Sequence, residues 1–169
     1  DKFMSTKITR ISIFGMGYVG CVSGACLASL GHHVIGVEPN RTKTDLINSG
    51  RSPIVEKDLD GLIESNVREG RFRATDDWRA AIAESDLALV CVGTPSRSNG
   101  SIDLRYVRRV CEQLGQALRE RTGFFTVVIR NTIIPGSVED VLIPILERES
   151  GRKPGVDFGV CMNPEFLRE

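Results

Sequence analysis

No stretch of this 169-residue chain approaches the roughly 20 consecutive apolar residues of a membrane-crossing helix, and its opening is too polar for a secretion signal. An excess of one charge is also missing. Lys plus Arg and Asp plus Glu each total 22, so no net field favours nucleic acid or an anionic membrane. Histidine is scarce: His32 and His33 sit beside the Gly31 turn, a place that suits surface or helix-capping roles better than catalysis. The five cysteines, Cys21, Cys26, Cys91, Cys111 and Cys161, lack close metal-ligand spacing and lie among apolar residues. They read as small core fillers in a reduced, cytoplasmic protein with no metal site. Paired hairpins and internal repeats are likewise absent, which removes sandwich and barrel folds.

What is present is strand–helix alternation. Solid apolar runs at 8–14, 33–38, 86–92 and 125–130 read as strands covered on both faces, with shorter strands at 72–75 and 157–161. Helical patterns separate them: from Gly15 to about Leu30, then 41–48, 57–69, a short helix ending at Ala83 with Asp76 or Asp77 as its cap, 103–120 and 137–149. Helical crossovers between buried strands imply an α/β fold, a Rossmann-like doubly wound, mostly parallel sheet with helices on both faces. Residues 1–7 read as an N-terminal extension with Met4 as a candidate native start, and 8–169 as one domain.

The first turn carries the clearest chemistry. Gly15-Met16-Gly17-Tyr18-Val19-Gly20 follows a strand, opens a helix, and is followed by an acidic residue ending the next strand. Gly15 permits the tight turn, Gly17 removes a side chain beside a pyrophosphate, and Gly20 allows close helix packing. The amides of Tyr18 and Val19, at the helix start, would face the phosphates. Glu38 would accept hydrogen bonds from the ribose hydroxyls and repel a 2′-phosphate, so NAD is expected over NADP. Arg41 would counter such a phosphate only if Glu38 swung away. Lys43 either covers the adenosine end or is an exposed helical lysine.

Two further turns fall at the carboxyl edge of the sheet, Val92-Gly93-Thr94-Pro95 and Asn131-Thr132-Ile133-Ile134-Pro135-Gly136. Thr94 and Thr132 offer hydroxyls to a cofactor or to water, with plain turn chemistry as the rival reading. Glu165, after Pro164, suits either a partly desolvated base or the first turn of a helix. The basic cluster Arg105, Arg108 and Arg109 reads as a solvated helix face, with phosphate binding as the lesser alternative.

With these motifs the chain resembles the nucleotide-sugar 6-dehydrogenases, the UDP-glucose and GDP-mannose dehydrogenase family. The resemblance rests on the glycine turn, Ser52-Pro53-Ile54-Val55-Glu56, Val92-Gly93-Thr94-Pro95, Thr132 with Pro135-Gly136, and above all Asn163-Pro164-Glu165-Phe166-Leu167. Stretches 98–104, 155–160 and 167–169 are most similar to the branch acting on GDP-mannose. Departures from the family pattern are Lys57-Asp58 for Pro-Gly, Asn131 for Ser, Met162 for a small or polar residue, and Glu38 for Asp.

The resemblance implies two NAD-dependent oxidations that take a sugar's primary alcohol to a carboxylate, through a cysteine-bound intermediate. It makes Glu165 the acid/base helper, Thr132 the holder of water or oxyanion, and Phe166, Leu167 and Arg168 the lining of the substrate approach. Arg168 is also readable as an exposed helix residue. None of the five cysteines is placed as the nucleophile, so the chain is expected to be the cofactor-binding part of a longer, homo-oligomeric enzyme and inactive alone. GDP-mannose or another nucleotide sugar is the expected substrate.

Overall fold

The computed structural model describes residues 7–131 and 136–163. Its strands are β1 (Arg10–Phe14), β2 (His33–Val37), β3 (Phe72–Thr75), β4 (Leu87–Val90), β5 (Phe125–Ile129) and β6 (Phe158–Met162). They form one sheet of order β3-β2-β1-β4-β5-β6. Every strand pair is parallel, with Ile13 opposite Gly36 on one side and Leu89 on the other. The chain builds outward from β1 to β3 and then returns to the opposite side of β1 with β4. That reversal puts a crevice at the carboxyl ends of β1 and β4, where open α/β sheets bind ligands.

The helices are α1 (Tyr18–Ser29), α2 (Arg41–Asn48), α3 (Leu59–Arg68), α4 (Trp78–Ala83), α5 (Arg105–Glu120) and α6 (Ile143–Ser150). Alternation along the buried strands divides the core into two layers. Ile11, Ile13 and Leu89 pack with Ala25, Ile47, Ile63 and Phe72 on the α1–α3 face. Phe14, Val37 and Val90 pack with Val107, Leu114, Phe125 and Leu146 on the α4–α6 face. The doubly wound α/β fold expected from the sequence is the one observed.

Local signals account for most boundaries. Asp77 caps α4 by accepting from the Ala80 amide at 3.1 Å. Gly31, at φ +99°, stops α1, and the His32 amide returns to the Leu27 carbonyl. The His32 main chain thus helps to cap the helix, while its Nδ1 accepts from the Thr9 amide at 3.1 Å and ties down the approach to β1.

The final helix differs from its simple pattern, because Val138–Leu142 winds as a π-helical segment before α6. Pro144 sits in the first turn of α6 and has no N–H to donate. The wider turn absorbs the register that an α-helix would break there.

The cysteines depart further from expectation. Cys21 and Cys111 are buried, but Cys26 and Cys161 are exposed. Cys26 lies on the outer side of α1, and Cys161 on β6, the last strand of the described sheet. Burial raises the thiol of Cys21 to about 11 and that of Cys111 to about 12. At pH 8 a thiol reagent is therefore expected to modify Cys26 and Cys161 within minutes and leave Cys21 and Cys111 intact until denaturant is added. Mass mapping of the labelled peptides checks this, and rapid native labelling of Cys111 would contradict the packing of α5.

Candidate dinucleotide site

The site begins with a glycine that crosses over the sheet. The Gly15 amide donates to the Val37 carbonyl at 2.9 Å, extending β1 toward β2. Its φ of +98° then turns the chain into α1. A Cβ at Gly15 would lie 2.9 Å from the Cys91 carbonyl oxygen, so the turn is pressed against the end of β4. Gly20 holds the turn from beneath: a Cβ there would stand 1.8 Å from the Gly15 carbonyl oxygen. Gly20 is buried and serves the shape of the turn itself, more than the general approach of helix to sheet.

Gly17 is the opposite case, because a Cβ on it would meet nothing within 4 Å. The space beside it is open. No side chain caps α1 at Gly17, and the first-turn amides have no preceding turn to accept from them. Tyr18 and Val19 both border the opening. A gap flanked by unsatisfied N–H groups at the positive end of a 12-residue helix suits an anionic group.

Glu38 lies at the end of β2, only 8% exposed. Its Oε1 accepts from the Met16 amide at 3.2 Å and its Oε2 from the Asn40 amide at 2.9 Å. The Lys43 Nζ stands 3.8 Å from Oε1. The carboxylate is therefore held by the glycine turn itself. Lys43 belongs to α2, whose cap is the Asn40 side chain accepting from the Lys43 amide at 3.3 Å.

These groups border a single cleft of about 640 Å³, a size typical of ligand sites. Of the residues singled out in the sequence, Gly15, Gly17, Tyr18, Val19, Glu38, Lys43 and Thr94 all face it. Thr132, Glu165, Phe166, Leu167 and Arg168 lie outside the described residues. On the β5 side, the Arg130 Nη1 donates to the Ser23 hydroxyl at 3.1 Å. Asn131, 6% exposed, donates through Nδ2 to the Val92 carbonyl, which joins the ends of β4 and β5.

Several cleft residues were not recognised in the sequence. Trp78 opens α4 beside the cleft, and Tyr106 and Gln113 reach it from α5, alongside Arg109, for which phosphate binding was the lesser expectation. The three arginines expected on a solvated helix face have different surroundings. Arg105 grips Asp103, with its Nη2 2.6 Å from Oδ2, while Arg109 faces the cleft. Hydrogen bonds from Arg105, with Arg97 nearby, hold the Asp103 carboxyl well below the usual range. This pairing anchors the loop before α5, where Ser96 and Ile102 form an isolated bridge.

An open gap at a helix N-terminus, an anchored carboxylate one strand away and a crevice at the switch point together define a dinucleotide-binding α/β domain. Residues 9–169 match the family model described as the UDP-glucose/GDP-mannose dehydrogenase family, NAD binding domain. The chain belongs to that family, as its NAD-binding domain.

It is 54% identical over 160 residues to a GDP-mannose 6-dehydrogenase of Pseudomonas putida, covering 95% of this chain and 36% of that protein. It is 41% identical to a UDP-glucose 6-dehydrogenase of Rhizobium meliloti, covering 95% of this chain and 35% of the relative. Among solved structures, a ternary complex of GDP-mannose dehydrogenase from Pseudomonas aeruginosa superposes with a TM-score of 0.92 at 53% identity, over 95% of this chain and 37% of that one. The chain thus spans little more than a third of the length of the curated relatives it matches. Among the described residues, no helix is long and apolar enough to cross a membrane.

Proposed function

We propose that this chain is the NAD-binding part of an enzyme that oxidises GDP-mannose to GDP-mannuronate, using two NAD per sugar. The observation that carries the choice of sugar nucleotide is the identity margin. Proteins named GDP-mannose 6-dehydrogenase match at 52–54%, whereas those named UDP-glucose 6-dehydrogenase match at 41% and 38%.

In this reading the open side of Gly17 and the amides of Tyr18 and Val19 take the pyrophosphate. Glu38 accepts from the adenosine ribose hydroxyls, and Lys43 covers that end of the cofactor. Thr94 and Thr132 supply hydroxyls at the carboxyl edge of β4 and β5. When bound, the nicotinamide supplies the hydride acceptor. Glu165 handles a proton near the sugar's C6, while Phe166, Leu167 and Arg168 line the sugar's approach. Central helical and C-terminal substrate-binding segments, with the nucleophilic cysteine and the subunit contacts, complete the longer protein.

The test compares NADH formation by the longer protein with GDP-mannose and with UDP-glucose, beside the 169-residue chain alone. Two NADH per GDP-mannose, little with UDP-glucose, and none from the chain alone is the expected pattern. Faster turnover of UDP-glucose would overturn the assignment of the sugar nucleotide. NAD binding with neither oxidation would favour an assembly or sensing domain instead.

A further inference from the structure

Two polar side chains face the cleft with nothing in the described protein to hold them. Arg109 and Gln113 stand one turn apart on α5, and both border the cleft. Neither makes a hydrogen bond or ion pair through its side chain among the described residues. On the same helix Arg105 is tied to Asp103, and Arg119 to the Glu149 carbonyl. Arg109 and Gln113, by contrast, are turned toward the cleft.

Their surroundings locate the part of the dinucleotide they would meet. Val37 immediately precedes Glu38 on β2, and Val37, Trp78 and Val110 form an apolar border of the same cleft. Val37 and Val110 belong to one core cluster, with Trp78 packed against it. A base attached to a ribose held by Glu38 would rest on this apolar border, with the α5 pair beside it. The opposite half of the cleft, toward Thr94, Arg130 and Asn131, is left for the other nucleotide.

We propose that Gln113 reads the edge of the adenine ring and that Arg109 covers its face. The inference rests on the NAD reading above. A glutamine amide carries an acceptor and a donor side by side, which match the adenine N6 amino group and N7. A planar guanidinium stacks on an aromatic face without regard to what the edge displays. The two residues therefore have separable effects. Hypoxanthine presents acceptors at both O6 and N7, so Gln113 makes only one of its two bonds to it, while Arg109 covers either base equally.

Titration calorimetry with NAD and with nicotinamide hypoxanthine dinucleotide tests the pair, since it reads affinity independently of turnover. The unaltered chain is expected to bind NAD about tenfold more tightly than the hypoxanthine analogue. Gln113→Leu weakens NAD more than the analogue, because it loses two bonds rather than one, and brings the two affinities together. Arg109→Met weakens both dinucleotides by the same factor, about threefold to fivefold. Thermal unfolding midpoints unchanged from the parent chain certify that both variants are folded. Equal affinities in the unaltered chain, or an undiminished NAD preference in Gln113→Leu, would overturn the assignment. If neither dinucleotide binds the unaltered chain, the NAD reading falls first and this one with it.

Discussion

Gly20→Ala is expected to disable the domain, lowering NAD affinity about a hundredfold and stability by roughly 3 kcal/mol. The added Cβ would sit 1.8 Å from the Gly15 carbonyl oxygen, a backbone atom with no flexible end to retreat. Relief requires α1 to move away from the turn, which takes the Tyr18 and Val19 amides with it. Urea denaturation and NAD titration measure the two losses. Gly17→Ala supplies the contrast. Its Cβ meets nothing within 4 Å, so the fold should keep its denaturation midpoint. The methyl group would instead occupy the gap beside the helix start and weaken NAD binding alone. If Gly20→Ala matched the parent chain in both measurements, the turn would not pack against the helix at Gly20.

The second large effect belongs to Glu38. Glu38→Ala removes the acceptor for the Met16 and Asn40 amides as well as the proposed ribose contact. Hydrogen bonds to a charged group contribute about 1.5–3 kcal/mol each. NAD affinity should therefore fall about thirtyfold or more, allowing for partial replacement by water. NADP should respond in the opposite direction. The substitution removes the carboxylate that repels a 2′-phosphate and releases Lys43 from its partner at 3.8 Å. Dissociation constants for both coenzymes should show the preference for NAD narrowed by at least about tenfold. A variant that retained the parent's NAD-to-NADP ratio would remove Glu38 from the site.

Much of the architecture could be read in advance because local and global signals agree in this chain. Apolar runs long enough for strands, separated by helical periods and punctuated by Gly31 and Asp77, leave one arrangement that buries both sheet faces. Gly15, Gly17 and Glu38 were legible for a related reason: each is required by backbone geometry or charge at a fixed distance along the chain. Arg109 and Gln113 escaped that reading. A polar stripe on an amphipathic helix has the same period whether it faces bulk water or a cleft, and only the placement of α4 and β2 distinguishes them. Cys26 and Cys161 were misjudged because apolar neighbours in sequence do not reveal which side of a helix or which edge of a sheet lacks a cover. The π-helical segment before α6 had a visible cause in Pro144, but a missing donor does not dictate whether a helix kinks, ends or widens.

The bond from the Met16 amide to the Glu38 carboxylate makes the two proposed anchoring points for the coenzyme parts of one mechanical unit. Converting this domain to a phosphorylated coenzyme is therefore not a matter of exchanging one side chain for a cation. A neutral or basic residue at position 38 leaves a main-chain donor in the glycine loop seeking a new acceptor, and the loop that carries it also shapes the diphosphate cradle. Successful redesign would have to supply that acceptor from a neighbouring position, so a paired substitution should hold the phosphorylated coenzyme more tightly than a single exchange at position 38.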